Sequence, residues 1–386
     1  MPHSDHSSTP PPSFNNIPPF PETVLTAPLL RISLQKLLAH DVDEEEKCWK
    51  ACCELGFFYL DLSLSSTESS EQSNGFPGES LFRHADSLFD VMKGFFDLSV
   101  DEKAKYDFAD QGSYFGYKGY GAGIVDKEGT KDRNEFYNIS KDDILGLSPR
   151  LPSPDILNTH RDLYANYIRD AHSICALLAT LISTRLPLNP SARQSGGLPA
   201  LHRLTTSSGD QIRFVKAPPQ EQSTQGVALG EHTDFGSITI LFNRLGGLQV
   251  RLPDSISAVP PASSTPCSPT ETRLCENGWT YVRPLPNHCI VNLGDAMVKF
   301  SAGMLRSNVH RVVAPPGEQG VCTRYSLVYF CRPEDEVRLG RIVVGGEGEE
   351  GEEMATAKEW ILRRALGRRK GGNGGWEGSK GTEEGA

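Results

Sequence analysis

Residues 232–252 read HTDFGSITILFNRLGGLQVRL. Two short runs within it, Ser237–Phe242 and Leu248–Leu252, are rich in aliphatic and β-branched residues and are bounded by Gly and Asn. That is the pattern of short strands joined by tight turns rather than of a helix. The same period of two continues outward, in Ile212–Lys216 before the stretch and in Trp279–Arg283, Cys289–Leu293, His310–Ala314 and Thr323–Phe330 after it. Towards the N-terminus the period changes. Residues 44–55 place Cys48, Ala51, Cys52 and Leu55 at helical spacing and lead into the strand-like run Phe57–Leu60. Further helices are predicted over about 80–97 and about 157–186, the latter with Tyr167, Ala171, Ile174, Leu178 and Leu181 on one apolar stripe. Helices first and seven or more short strands afterwards predict a mainly β fold with flanking helices, an antiparallel barrel or jelly roll.

Composition divides the chain further. Residues 1–27 are rich in Pro, Ser and Asn and are expected to form a disordered arm. The region 28–140 reads as an N-terminal helix and strand region, continuous as one domain with a helix plus jelly-roll core over 141–343. A low-complexity insertion, 253–278, enlarges one hairpin loop. The tail 344–386, with Glu-Gly repeats and a Gly-rich end, is expected to be mostly disordered around a short helix at 355–366. There Trp360, Ile361 and Leu362 read as docking residues.

With 49 acidic against 39 basic residues the net charge is -10, and no basic block resembles a nucleic-acid footprint. No run approaches the ~18 apolar residues of a membrane span, and no signal-peptide pattern opens the chain. A cytoplasmic protein, monomeric by default, with neither nucleic acid nor membrane as partner, is the expectation. Nine cysteines, odd in number and never spaced CxxC, argue against a disulfide framework and a thiolate zinc site. Cys48, Cys52 and Cys53 read as small apolar helix residues.

Two histidines and one carboxylate on one side of a metal leave three positions open, enough for a chelating cosubstrate and dioxygen. His232 and Asp234, at i and i+2 of a predicted strand end, point to the same face. Three other HxD triplets begin at His3, His84 and His160. The first falls in the arm. The other two fall in predicted helices, where i and i+2 diverge by roughly 200°. Beyond His310, a candidate third ligand, Arg324 and Ser326 form another i, i+2 pair, a guanidinium and a hydroxyl suited to a carboxylate. His160-Arg161-Asp162-Leu163 and Asp234-Phe235-Gly236 imitate two kinase signatures, but the interval between them is too long and no glycine-rich strand loop precedes them.

In order, HTDFGSITIL, GGLQVRL, NLGDAMVKFSAGMLRSNVHRVVAPP and RYSLVYF resemble the isopenicillin N synthase-like branch of the iron- and 2-oxoglutarate-dependent dioxygenases. CWKACCELGFFYLDL, FFDLSVDEKAKY and GYKGYGAGIVDKEGTKDRNEFYNI are similar to that branch's N-terminal segments. The resemblance implies a double-stranded β-helix (jelly roll) core with an N-terminal helical region. It implies Fe(II) at His232, Asp234 and His310, and 2-oxoglutarate at Arg324 and Ser326. With O2 as oxidant, a small-molecule substrate would be hydroxylated, desaturated or cyclised, as in specialised metabolism. No catalytic side chain beyond the metal site is implied. Relatives often carry Asn and Tyr where this chain has Val215 and Ala217, which leaves open an iron oxidase of the same fold that uses no 2-oxoglutarate. A catalytically inactive binding module is the further alternative. Phe115, Tyr117 and Tyr120, in a Gly-rich stretch, are the candidates for contacting substrate.

Overall fold

The strand RYSLVYFC, Arg324–Cys331, shows how the fold is built. Its even-numbered residues, Arg324, Ser326, Val328 and Phe330, line an internal cavity. Leu327 and Tyr329 face the other way into the main apolar core. A computed structural model gives this architecture for residues 17–64, 76–126, 128–220, 226–262, 268–345 and 354–367.

Twelve strands form two sheets. They are β1 (Arg31–Ser33), β2 (Phe57–Asp61), β3 (Gly116–Lys118), β4 (Glu135–Ser140), β5 (Gln211–Ala217), β6 (Val227–His232), β7 (Ile238–Asn243), β8 (Leu248–Arg251), β9 (Trp279–Tyr281), β10 (His288–Leu293), β11 (His310–Val313) and β12 (Arg324–Cys331). The larger sheet has the order β1-β2-β10-β7-β12-β5-β4-β3 and the smaller one β6-β11-β8-β9. Apart from the β1–β2 pair every pairing is antiparallel. Non-sequential neighbours such as β7 between β10 and β12 give the jelly roll that the sequence predicts.

Two long helices cover the outer face of the larger sheet. Pro77–Phe96 begins with Pro in its first turn and buries Leu81, Ala85, Leu88, Phe89, Met92 and Phe95, a 3-to-4 step. Arg161–Arg185 buries Tyr164, Tyr167, Ile168, Ala171, Ile174, Cys175, Leu178 and Ile182. Together with Ile212, Phe214, Ile240, Phe242, Leu327 and Tyr329 of the sheet they make one core. Cys48, Cys52, Cys175, Cys289 and Cys331 are buried as free thiols. Among the described residues no helix is long and apolar enough to cross a membrane.

Three expectations are corrected. The arm 1–27 is ordered from residue 17: Val24 and Ala27 are buried, Phe20 meets the Tyr281 ring at 6.3 Å, and Thr26 bridges to Val259 and Tyr281. Residues 1–16 lie outside the described residues. The insertion 253–278 does join the antiparallel pair β8–β9 as an enlarged hairpin loop, but it contains a helix, Pro269–Leu274, with a Ser268/Glu271 capping box and a buried Leu274. Glu271 also accepts from the Gly317 amide at 2.9 Å, which ties the insertion to the body. The expected helix at 157–186 is broken after Asn158 into Asp155–Asn158 and Arg161–Arg185. At the other end, a helix does form at Ala357–Gly367, while 346–353 and 368–386 lie outside the described residues.

Val24 tests the first correction. Val24→Asp is expected to destabilise the protein by about 2–4 kcal/mol through an unpaired buried carboxylate, read by urea denaturation. A change within about 0.5 kcal/mol would mean that residues 17–27 do not pack.

Candidate active site

The smaller sheet brings the histidines together by register. In the β6–β11 pair His232 stands opposite His310, their ring centroids 4.2 Å apart. Each imidazole is set by its own backbone: Nδ1 of His232 lies 2.8 Å from the Gly230 carbonyl, and Nδ1 of His310 lies 3.1 Å from the Asn308 carbonyl. With Nδ1–H donating there, each Nε2 carries its lone pair towards Asp234. The Nε2 atoms lie 4.0 Å and 3.8 Å from Asp234 Oδ1. Phe57 packs edge-on against His310 at 5.2 Å.

Asp234 reaches this position differently from a simple strand residue. β6 ends at His232, and the turn that follows is held by the N-terminus of the helix Asp295–Phe300. The Asp295 amide donates to the Asp234 carbonyl (2.8 Å), Ala296 to Gly236 (3.1 Å) and Gly294 to Ser237 (3.0 Å). These donors are ones that a helix start leaves without intrahelical partners. The Thr233 hydroxyl completes the attachment on Asp295 Oδ2 at 3.0 Å. Thr239 and Asn292 both donate to Asp234 Oδ2 at 2.7 Å, which turns Oδ1 to the two imidazoles. Burial alone would raise the Asp234 carboxyl; His310, His232 and these hydrogen bonds outweigh it and keep its pKa below the ordinary value. Two imidazole nitrogens and a carboxylate oxygen converging within 4.8 Å are the donor set of a divalent first-row metal.

A second cluster of metal-binding residue types, His172, Asp210 and Cys331, is also buried. Its chemistry is that of an ion pair. Asp210 accepts from the Tyr329 hydroxyl at 2.8 Å and the Arg332 amide at 2.7 Å. Burial would lower His172, but Asp210, 3.6 Å from its Nδ1, and Cys331 carry it up to about 10.

The cavity runs from the triad along the inner face of the larger sheet to Arg324 and Ser326. Arg324 is 3% exposed. Its Nε donates to the Gly246 carbonyl at 2.7 Å and Nη1 to the Ser326 hydroxyl, and among the described residues no carboxylate pairs with it. Burial alone holds its pKa down to about 10. A buried, uncompensated guanidinium beside a hydroxyl fits the carboxylate of an anionic ligand. Val215 lines the same cavity, and Ala217, also buried, stands opposite Arg324 in the β5–β12 pair. Arg213, Asn134 and Asn292 add polar groups to its wall.

Sequence models of two known families match the chain. The model described as non-haem dioxygenase in morphine synthesis N-terminal matches residues 28–154, and the 2OG-Fe(II) oxygenase superfamily matches residues 268–333. A 2-oxoglutarate-dependent dioxygenase of Aspergillus fumigatus is 33% identical over 319 residues, covering 82% of this chain and 78% of that protein. The chain belongs to the 2-oxoglutarate- and iron(II)-dependent dioxygenases. A relative from Glarea lozoyensis with the same description is 27% identical over 310 residues, 80% of each chain. Among solved structures, a full-length Neurospora crassa protein in complex with alpha-KG is 22% identical with a TM-score of 0.61, covering 87% of this chain and 95% of that one. JOX2 in complex with 2OG, Fe and JA is 20% identical with a TM-score of 0.58, covering 94% of each chain. This dioxygenase uses Fe(II), 2-oxoglutarate and O2.

The substrate candidates are corrected. Phe115, Tyr117 and Tyr120 do not line the cavities that meet at the triad. Tyr117 turns outward from β3 onto Phe95 at 6.2 Å and donates its hydroxyl to Glu135 at 2.6 Å. Phe115 packs on Tyr114 at 4.5 Å, and Tyr120 is exposed. The dioxygenase instead faces its site with residues that sequence reasoning passes over: Lys118, Arg213, Arg332 and, from the terminal helix, Arg364. Alternation along β3 carries the signal for Lys118, since Tyr117 outward means Lys118 inward.

Gly294 tests how Asp234 is held. A Cβ there would lie 2.3 Å from the Gly236 carbonyl oxygen and 2.8 Å from that of Asp234. Gly294→Ala is therefore expected to lower iron(II) affinity by about 10–100-fold in anaerobic calorimetry, as loss of a ligand-orienting contact does. Unchanged affinity would show that the turn does not orient the carboxylate.

Proposed function

We propose that His232, Asp234 and His310 hold the iron, and that Arg324 and Ser326 take the distal carboxylate of 2-oxoglutarate. A small organic molecule is oxidised in the part of the cavity on the other side of the triad. The observation that carries this reading is Arg324: a fully buried cation with no carboxylate of its own among the described residues, sharing one cavity with three converging metal donors. Such a group is costly unless a ligand compensates it.

Bound together, iron(II) and 2-oxoglutarate would supply the oxidising power: decarboxylation of the cosubstrate to succinate would take up one atom of dioxygen, and the other would enter a hydroxylated substrate or, in desaturation or cyclisation, leave as water. The chain's own residues do the rest. His232 and His310 offer fixed Nε2 lone pairs, and Thr239 and Asn292 keep Asp234 ionised and oriented. Arg324 orients the cosubstrate by its far end, with Ser326 as a second donor. Phe57, Leu229, Leu241 and Val312 give the cavity its apolar lining. With the charge of the distal carboxylate taken up by Arg324, Val215 and Ala217 leave room where relatives often carry polar groups.

A small-molecule substrate is supported by the likeness to structures that hold thymine in the Neurospora crassa protein and JA in JOX2. Hydroxylation, desaturation and cyclisation all fit, since they differ only in the fate of the substrate after a C–H bond is broken. We place the enzyme in specialised metabolism and in the cytoplasm, the latter on the strength of its free, scattered cysteines.

Arg324→Leu is expected to weaken 2-oxoglutarate about 100-fold, read from the visible charge-transfer absorption during anaerobic titration with iron(II). The variant should still bind iron. Wild-type affinity in the variant would remove Arg324 from the cosubstrate site.

A further inference from the structure

Beyond the triad, on the side away from Arg324, a second cavity shares His232, Asp234, Phe136, Arg213, Leu229 and Phe330 with the first. Its roof is the terminal helix Ala357–Gly367. That helix is fixed by Trp360, whose Nε1 donates to the Phe235 carbonyl at 3.2 Å, and by Ile361, which is 1% exposed. One turn on, Arg364 enters the cavity wall and is also 1% exposed.

Arg364 is under-satisfied. Among the described residues its Nε, Nη1 and Nη2 have no hydrogen-bond partner. Asp295 Oδ2, 3.3 Å from Nη1, is its counter-charge, at a geometry that leaves the fork short of well-formed hydrogen bonds. The rings of Phe235 and Trp360 lie 5.1 and 5.2 Å from the guanidinium carbon and fix its plane. A planar donor fork held rigid and desolvated, with donors still unmet beside its one counter-charge, is shaped for a bidentate oxyanion.

The rest of the wall has the same sign. Arg213 is clamped between Phe136 (4.3 Å) and Phe330 (5.0 Å) with Nε on Asn138 at 2.7 Å. Arg332 gives Nη1 to the Gly209 carbonyl, but its buried Nε has no partner among the described residues. Lys118 is matched by Asp132. The remaining carboxylate on the wall, Asp234, already faces the two imidazoles.

We infer that this second cavity is an anion-binding substrate site, in which Arg364 forks onto a carboxylate of the molecule to be oxidised and Arg213 and Arg332 supply further positive charge. The inference deepens the proposed function and rests on it, because it places the substrate opposite the cosubstrate. It narrows the substrate class to small organic acids with an apolar body, suited to Phe136, Leu229 and Phe330. It also gives the terminal helix a role: the charged end of the substrate is read by a residue more than fifty positions beyond His310.

The test uses the full chain loaded with zinc(II) as a diamagnetic stand-in for iron and saturated with 2-oxoglutarate, which fills the Arg324 end. Saturation-transfer NMR then compares a broad library of aromatic and alicyclic carboxylic acids, each beside its primary amide. Acids are expected to bind at least about tenfold more tightly than their amides. Arg364→Gln should abolish that preference while amide binding persists, and Arg364→Lys should restore part of it. Amides that bind as well as acids, an acid preference that survives Arg364→Gln, or a library with no acid ligand would overturn the inference. The wild-type comparison decides alone if the variant does not fold. Failure of 2-oxoglutarate itself to bind would overturn the cosubstrate reading instead, and Arg324→Leu beside Arg364→Gln would then locate the acids.

Discussion

Everything at this site depends on how one turn is fastened. The strand that carries His232 stops there, so Asp234 has no ladder to hold it; its carbonyl and that of Gly236 are instead taken by the first amides of the helix Asp295–Phe300. Helix starts have donors to spare, and the turn has acceptors to spare, so the two satisfy each other. Gly294 permits the approach. Asp295 then acts twice, as an acceptor for Thr233 and as the counter-charge to Arg364. One buried carboxylate thus ties the turn that carries Asp234 to the helix that roofs the second cavity.

The two cavities divide the chemistry by charge. Arg324 lies at one end, buried with no carboxylate among the described residues, and Arg364 lies at the other with unsatisfied donors. Between them stands the triad. Arg324 without a carboxylate and Arg364 with donors unmet each cost stability, and ligands that bring carboxylates offset that cost. The aliphatic and aromatic lining between the ends makes each such contact worth more than it would be in water.

Much of this is legible in the sequence, for physical reasons that differ by element. The period of two in Ile238–Asn243 and Arg324–Cys331 survives because each strand has one face on the helices and one on the cavity. His232 and Asp234 can be picked out since only one HxD triplet leaves helix and arm behind, whereas His310 is found only through the ordered resemblance of the strands around it. The arm misleads because its prolines argue against regular structure, not against docking: a Pro-rich segment loses less entropy when it is pinned, as Pro18, through its carbonyl, and Phe20 are. Tyr117 misleads because aromatic content says nothing of which way β3 faces. Arg364 carries no signal at all. In the run RRALGRRK any arginine reads as solvated, and only the docking of Trp360 decides which one is buried.

The central claim is that three residues hold one metal between two oppositely placed carboxylate sites. Anomalous diffraction at the iron edge, from crystals grown without oxygen in iron(II) and 2-oxoglutarate, tests it most directly. One iron peak is expected, bonded to His232 Nε2, His310 Nε2 and Asp234 Oδ1, with the cosubstrate's distal carboxylate on Arg324. Iron bound elsewhere, or 2-oxoglutarate seated with its distal carboxylate on Arg364, would contradict it.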